Sequence, residues 1–229
     1  MMEFVFLDLD DTILDFRWAI KRSLIETMTA FGIDPSDENR ELYRQISWEY
    51  WKRMDQGELT RDRMKVERFE VLLEQLGHEA DAKAMAETYD RWLGTGHLFL
   101  SGGEEAIRAL SKNYRLFLAT NGEPLIQYPR LKSAGLTKYF EKIFISHEIG
   151  FFKPQVEFFE HCFANIPGFD KSKAIMVGDS LASDVQGGIN AGIRTCWINP
   201  DHREPHLDIT ADYEIETLPQ LLPILEEMK

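Results

Sequence analysis

The chain has 229 residues, 44% apolar and 28% charged, the proportions of a folded soluble protein long enough for one large domain or for a core with a smaller insert. Its formal net charge of -13 argues against a nucleic-acid polymer or an anionic membrane surface as the main partner. A small phosphate stays open, because a bound Mg²⁺ and one lysine reverse the field of a single pocket.

The first element is the apolar run Phe4-Val5-Phe6-Leu7, read as a strand over residues 4–9 that ends in Asp8-Leu9-Asp10-Asp11-Thr12-Ile13. No leader-like segment precedes it and no later segment is apolar enough to span a bilayer, so a cytoplasmic protein is expected. Strand side chains alternate, which puts Asp8 and Asp10 on one side at the mouth of a sheet. Like charges that close persist around a cation, or when one carboxyl keeps a proton, and both conditions suit chemistry on an anionic substrate.

From Phe16 to about Leu93 apolar residues recur at helical spacing: Leu24, Met28 and Phe31, then Tyr43, Ile46, Tyr50 and Met54, then Phe69, Leu72, Leu73 and Leu76. Four helices are predicted, separated at Gly32–Ser36, Gln56–Thr60 and Gly77-His78, with Ser36 and Thr60 as N-caps. After Gly94-Thr95-Gly96 the rhythm changes to short apolar strands, Leu116–Ala119, Ile143–Ile145, Ala174–Val177, Thr195–Ile198 and a weaker Tyr213–Ile215, alternating with helices. That alternation predicts an α/β fold, a mostly parallel sheet covered by helices on both faces, and the first strand must join it to satisfy its backbone groups. The expected organisation is an α/β core from residues 1–15 and 96–229 with an all-α four-helix-bundle insert, or cap, over 16–95. Cys162 and Cys196 are expected as buried free thiols, and His202 and His206, interrupted by Pro205, as solvated loop residues rather than a metal pair.

Open parallel sheets bind ligands at the carboxyl ends of their strands. The residues past each apolar run therefore form one constellation: Asp8, Asp10 and Asp11; Thr120-Asn121-Gly122; Ser146 and Lys153-Pro154; Gly178-Asp179-Ser180 and Asp184. Asp8 is placed as a nucleophile able to form an aspartyl-phosphate. Asp10 is placed as the acid that protonates the leaving oxygen and the base that then activates water, with a pKa raised by its carboxylate neighbours. Thr120, the amide of Asn121, the ammonium of Lys153 and a metal would neutralise the phosphoryl oxygens. An all-oxygen, carboxylate-rich set suits one Mg²⁺ ion, with Asp8, Asp179 and the Asp10 backbone carbonyl as ligands and Asp184 as a water-mediated ligand or anchor.

Asp-x-Asp-x-Thr after the first strand, Thr-Asn, Lys-Pro and Gly-Asp-Ser-Leu-x-Ser-Asp together resemble the four motifs of the haloacid dehalogenase-like superfamily, across nearly the whole chain. The resemblance implies a Rossmann-like three-layer core, a helical insert of the C1 cap type and hydrolysis of a phosphomonoester. Gln56–Arg61, Gly178–Asp184 and Gly187–Gly192 are similar to its pyrimidine nucleotidase (5'-nucleotidase) subgroup, which implies a nucleoside monophosphate as partner. Asp10 speaks against a dehalogenase, since a halide leaves without an acid. A sugar-phosphate phosphatase or β-phosphoglucomutase-like mutase is the runner-up, and a receiver-type phosphorylation switch is a remote alternative, because the early Asp8 and the insert do not suit it. A phosphonatase would need a cap lysine, and Lys21 and Lys52 read as solvated. Phe16 and Trp18, just past the catalytic loop, are the aromatic candidates for the substrate pocket.

Overall fold

The computed structural model describes residues 2–204 and 208–228. It opens with strand β1 (Phe4–Leu7) and then the helices α1 (Phe16–Ala30), α2 (Asp37–Asp55), α3 (Arg61–Leu76) and α4 (Ala82–Thr95). The α/β part follows: α5 (Gly103–Leu110), β2 (Arg115–Thr120), α6 (Pro124–Ser133), β3 (Lys142–Ile145), α7 (Ser146–Ile149), α8 (Val156–Ala164), β4 (Ala174–Gly178), α9 (Gln186–Ala191), β5 (Arg194–Ile198), β6 (Tyr213–Ile215) and α10 (Leu221–Glu227). By compactness the chain forms two units, Met1–Arg17 with His97–Lys229, and Trp18–Gly96.

The first unit is built on a six-stranded sheet of order β3-β2-β1-β4-β5-β6, every neighbouring pair parallel. Its strands are apolar almost without interruption because both faces are covered. Val5, Leu7, Leu118 and Val177 lie in one buried cluster with Ile107, Leu131 and Leu225. Phe4, Phe6, Phe117 and Met176 lie in the other with Phe158, Phe159 and Ala191. Each such buried Val, Leu, Ile, Phe or Met side chain contributes roughly 1.5–3 kcal/mol. Phe6 adds ring contacts to Phe117 at 5.2 Å and Phe163 at 5.8 Å.

Register sets where the polar residues fall. Leu7 stands opposite Leu118 and Val177, so the chain beyond it emerges between the ends of β2 and β4. The strand stops there rather than running to residue 9: the amides of Ile13 and Leu14 both donate to the Leu9 carbonyl, and Asp11 has a positive φ of 56°. The segments on either side of the helical insert pair with each other, the Asp15 amide donating to the Leu98 carbonyl at 2.8 Å and Leu100 to Ile13 at 3.0 Å.

Within the second unit, Ser36 caps α2 by accepting from the Asn39 amide, and Thr60 caps α3 by accepting from that of Arg63. Gly77 ends α3 in the left-handed region, where glycine carries no Cβ penalty. Tyr43, Phe69 and Tyr89 form an aromatic core, with the buried guanidinium of Arg68 over all three rings. Among the described residues no helix is long and apolar enough to cross a membrane. Cys162 and Cys196 are free and buried. His202 is exposed beside Glu216, and His206 with Pro205 lies outside the described residues.

Candidate active site

At the carboxyl end of β1 the carboxylate of Asp8 is buried and accepts from Lys153 Nζ at 2.8 Å. The same ammonium donates to Asp184 Oδ1 at 2.6 Å and to the Ala119 carbonyl at 2.6 Å, so its three protons are all engaged and the cation is tied to two strand ends and a carboxylate. Burial by itself would lower the pKa of Lys153, but Asp184 and Asp8 outweigh it and hold the ammonium above the ordinary lysine value.

Asp179 leaves the end of β4, its carbonyl fixed by Trp197 Nε1 at 2.9 Å and Arg203 Nη2 at 3.1 Å. Asp184 follows on a single wide helical turn, Leu181–Val185, and turns back so that its Oδ2 accepts from the Ser180 amide at 3.1 Å. This return needs Gly178, because a Cβ there would stand 2.1 Å from Asp184 Oδ2. Asp8, Asp179 and Asp184 each present a carboxylate oxygen within 4.8 Å of the others. One lysine does not balance them. Burial, then repulsion from Asp184 and Asp11, pushes Asp179 up to about 7, against the pull of Arg203 and Lys153. Burial raises Asp8 well above the carboxylate range despite Lys153, with Asp184, Asp10 and Asp179 adding to the rise. A compact all-oxygen set short of positive charge fits a hard divalent cation such as Mg²⁺.

Asp10 has different partners from Asp8. Beyond the end of β1 its carboxylate accepts from Gln127 Nε2 at 2.7 Å on one oxygen and from Arg130 Nη1 on the other. Thr120 is buried at the end of β2, its hydroxyl oxygen accepting from Gln127 Nε2 at 3.0 Å and the Gly122 amide at 3.2 Å, which leaves its proton free to donate. Asn121 serves the backbone: its side-chain amide donates to the Lys153 carbonyl at 3.0 Å and accepts from the Lys153 amide at 2.9 Å, bracketing the segment that delivers the lysine. Asp11 accepts from the Phe16 amide at 2.9 Å. Ser146 is buried in α7, its hydroxyl without a hydrogen-bond partner.

Phe16 and Trp18 fall in different units. The Phe16 ring carries the Arg130 guanidinium at 5.1 Å, whereas Trp18 faces Arg22 at 5.6 Å. Gln127 and Arg130 were not singled out in the sequence; the one available signal was their spacing of three on a helix that begins directly after the Thr-Asn segment.

Residues 2–192 match the sequence profile of the haloacid dehalogenase-like hydrolases. HAD-hydrolase YfnB of Bacillus subtilis is 37% identical over 218 residues, covering 95% of this chain and 93% of that one. Its magnesium-bound crystal structure, described as revealing interdomain movement, superposes with a TM-score of 0.89 at 36% identity over 98% of both chains. Pyrimidine 5'-nucleotidase PynA of Streptococcus pneumoniae is 34% identical over 226 residues, covering 98% of this chain and 95% of that one. Pyrimidine 5'-nucleotidase YjjG of Escherichia coli is 30% identical over 231 residues, covering 97% of each.

Proposed function

The chain belongs to the haloacid dehalogenase-like hydrolases, and on that premise we propose that it is a cytoplasmic, Mg²⁺-dependent phosphomonoesterase acting on pyrimidine nucleoside 5'-monophosphates through an aspartyl-phosphate on Asp8. The observation that carries the chemistry is the buried Asp8 at the end of the central strand, paired with Lys153 and facing Asp179 and Asp184. The substrate class rests on PynA and YjjG, both named as pyrimidine 5'-nucleotidases and similar over nearly the whole chain.

A carboxylate oxygen of Asp8 attacks phosphorus, and the ester oxygen departs with a proton from Asp10. Water then attacks the same phosphorus and gives a proton back to Asp10, which releases inorganic phosphate and restores Asp8. Thr120 has a hydroxyl proton free for a phosphoryl oxygen, and the Lys153 ammonium, its own protons held by Asp8, Asp184 and the Ala119 carbonyl, adds positive charge beside those oxygens, whose charge is the main thing to be stabilised. A Mg²⁺ held by Asp8, Asp179 and the Asp10 carbonyl, with Asp184 as a further ligand or anchor, adds positive charge against those oxygens when bound. Asn121 acts by holding Lys153 in place. The helical insert is assigned the role of cap, and Phe16, in the α/β unit, and Trp18, in the insert, are the aromatic candidates for contact with substrate.

The test is phosphate release from a panel of nucleoside monophosphates and sugar phosphates, with Mg²⁺ and with EDTA, using Asp8→Asn as the blank. Metal-dependent release strongest on dUMP, UMP or dTMP and absent from a folded Asp8→Asn is expected. Release confined to sugar phosphates would overturn the nucleotidase reading, and undiminished turnover by Asp8→Asn would remove the nucleophile.

A further inference from the structure

Arg130 is fully buried, and among the described residues its one ion-pair partner is Asp10. Its Nη1 also donates to Gln127 Oε1 at 2.9 Å, its Nε and Nη2 have no hydrogen-bond partner, and the guanidinium lies on the Phe16 ring. Gln127 is almost fully buried, and its Nε2 spans two groups, Asp10 Oδ2 at 2.7 Å and Thr120 Oγ1 at 3.0 Å. The fit leaves no slack, for a Cβ on Gly122 would stand 2.2 Å from that nitrogen.

Burying a guanidinium with two idle donors is costly, and its carboxylate partner offsets that cost only while the two stay together. The arrangement therefore constrains Asp10 more tightly than a solvated turn would. One oxygen is held by Arg130 and the other by an amide that also touches Thr120, so the carboxylate has a defined orientation relative to the Thr120 hydroxyl, the group proposed above as a donor to the phosphoryl oxygens. That matters for a proton donor, because transfer needs the acid within hydrogen-bond reach of the departing oxygen and displacements of about 1 Å cost about a hundredfold.

We propose that Gln127 and Arg130 are positioning residues for the acid–base step: they act on the substrate through Asp10, fixing the orientation from which it donates to the leaving oxygen. The inference rests on the reading of Asp10 as the acid, and α6 becomes part of the catalytic apparatus.

The test compares kcat/KM, which reports the steps through leaving-group departure, for the best alkyl phosphate of the panel and for 2,4-dinitrophenyl phosphate, whose leaving group needs no proton. Gln127→Met and Arg130→Lys are run beside Asp10→Asn, with circular dichroism and melting to establish folding; should Arg130→Lys melt early, Gln127→Met carries the test alone. The expected result is a loss of about tenfold or more on the alkyl ester against less than about threefold on the dinitrophenyl ester, in the direction of the Asp10→Asn pattern. Equal losses on both esters, or none on either, while Asp10→Asn shows the selective loss, would overturn the positioning role and leave Asp10 as the acid. An unselective loss in Asp10→Asn itself would overturn the reading of Asp10 and the inference with it.

Discussion

Asp8 and Asp179 are carboxylates whose charge burial and their acidic neighbours disfavour, and the sign of the consequence is definite. Both hold their protons above the unfolded carboxylate value, Asp179 up to about 7, so folding of the metal-free chain takes up protons in the interval between. The stability this confers is complete below the unfolded carboxylate range and is lost as the pH rises through the folded values. A cation relieves the same repulsion without a proton. In EDTA the melting temperature should therefore fall from about pH 5 to about pH 8, and the increment from added Mg²⁺ should grow over that window. An increment that shrinks with rising pH would contradict this electrostatic account. Asp8, Thr120 and Asp179 were legible because each follows an apolar run closely enough for strand geometry to aim it, whereas Lys153 and Asp184 were read from the series of polar residues beyond the strands and are brought in by the segments after β3 and β4. The partners of Asp10 were not: Gln127 and Arg130 lie 117 and 120 residues away from it, and on a helix they read as ordinary polar positions.

Elements announced themselves where period and punctuation agree. Helix spacing, with Ser36 and Thr60 as N-caps and Gly77-His78 as a break, located α1 to α4, since each cap satisfies backbone groups that the helix cannot. The five later strands fell where β-rich apolar runs are bounded by polar turns. The wide turn Leu181–Val185 was illegible, because its sequence reads as the first turn of an ordinary helix and only the need to return Asp184 beside Gly178 reveals it. Gly178→Ala places a methyl on Asp184 Oδ2, which must then swing away from its position with Asp8 and Asp179. The variant should lose about 1–3 kcal/mol of stability by denaturant titration, as overpacked cores do, together with at least about tenfold in Mg²⁺ affinity by calorimetry. Wild-type affinity in Gly178→Ala would mean that Asp184 does not help to hold the cation.

For the whole molecule, alternation of strands and helices was enough to give a parallel α/β core, because a parallel sheet needs covering helices on both faces. Strand order was beyond that reading: the placement of β1 at the centre, between β2 and β4, follows from long-range pairing that no local pattern encodes. Yet this order makes the site, since it brings the ends of β1, β2 and β4 together and lets one buried lysine touch Asp8, Asp184 and the Ala119 carbonyl. In the proposed reaction Asp8 itself carries the phosphoryl group between substrate and water. Acid quench of the Mg²⁺-loaded enzyme during turnover, followed by peptide mass mapping with and without hydroxylamine, detects that intermediate. The expected result is one added phosphoryl group on the peptide containing Asp8, removed by hydroxylamine and absent from Asp8→Asn. A phosphoryl group on another residue, or turnover with none trapped even when Asp10→Asn slows release, would contradict it.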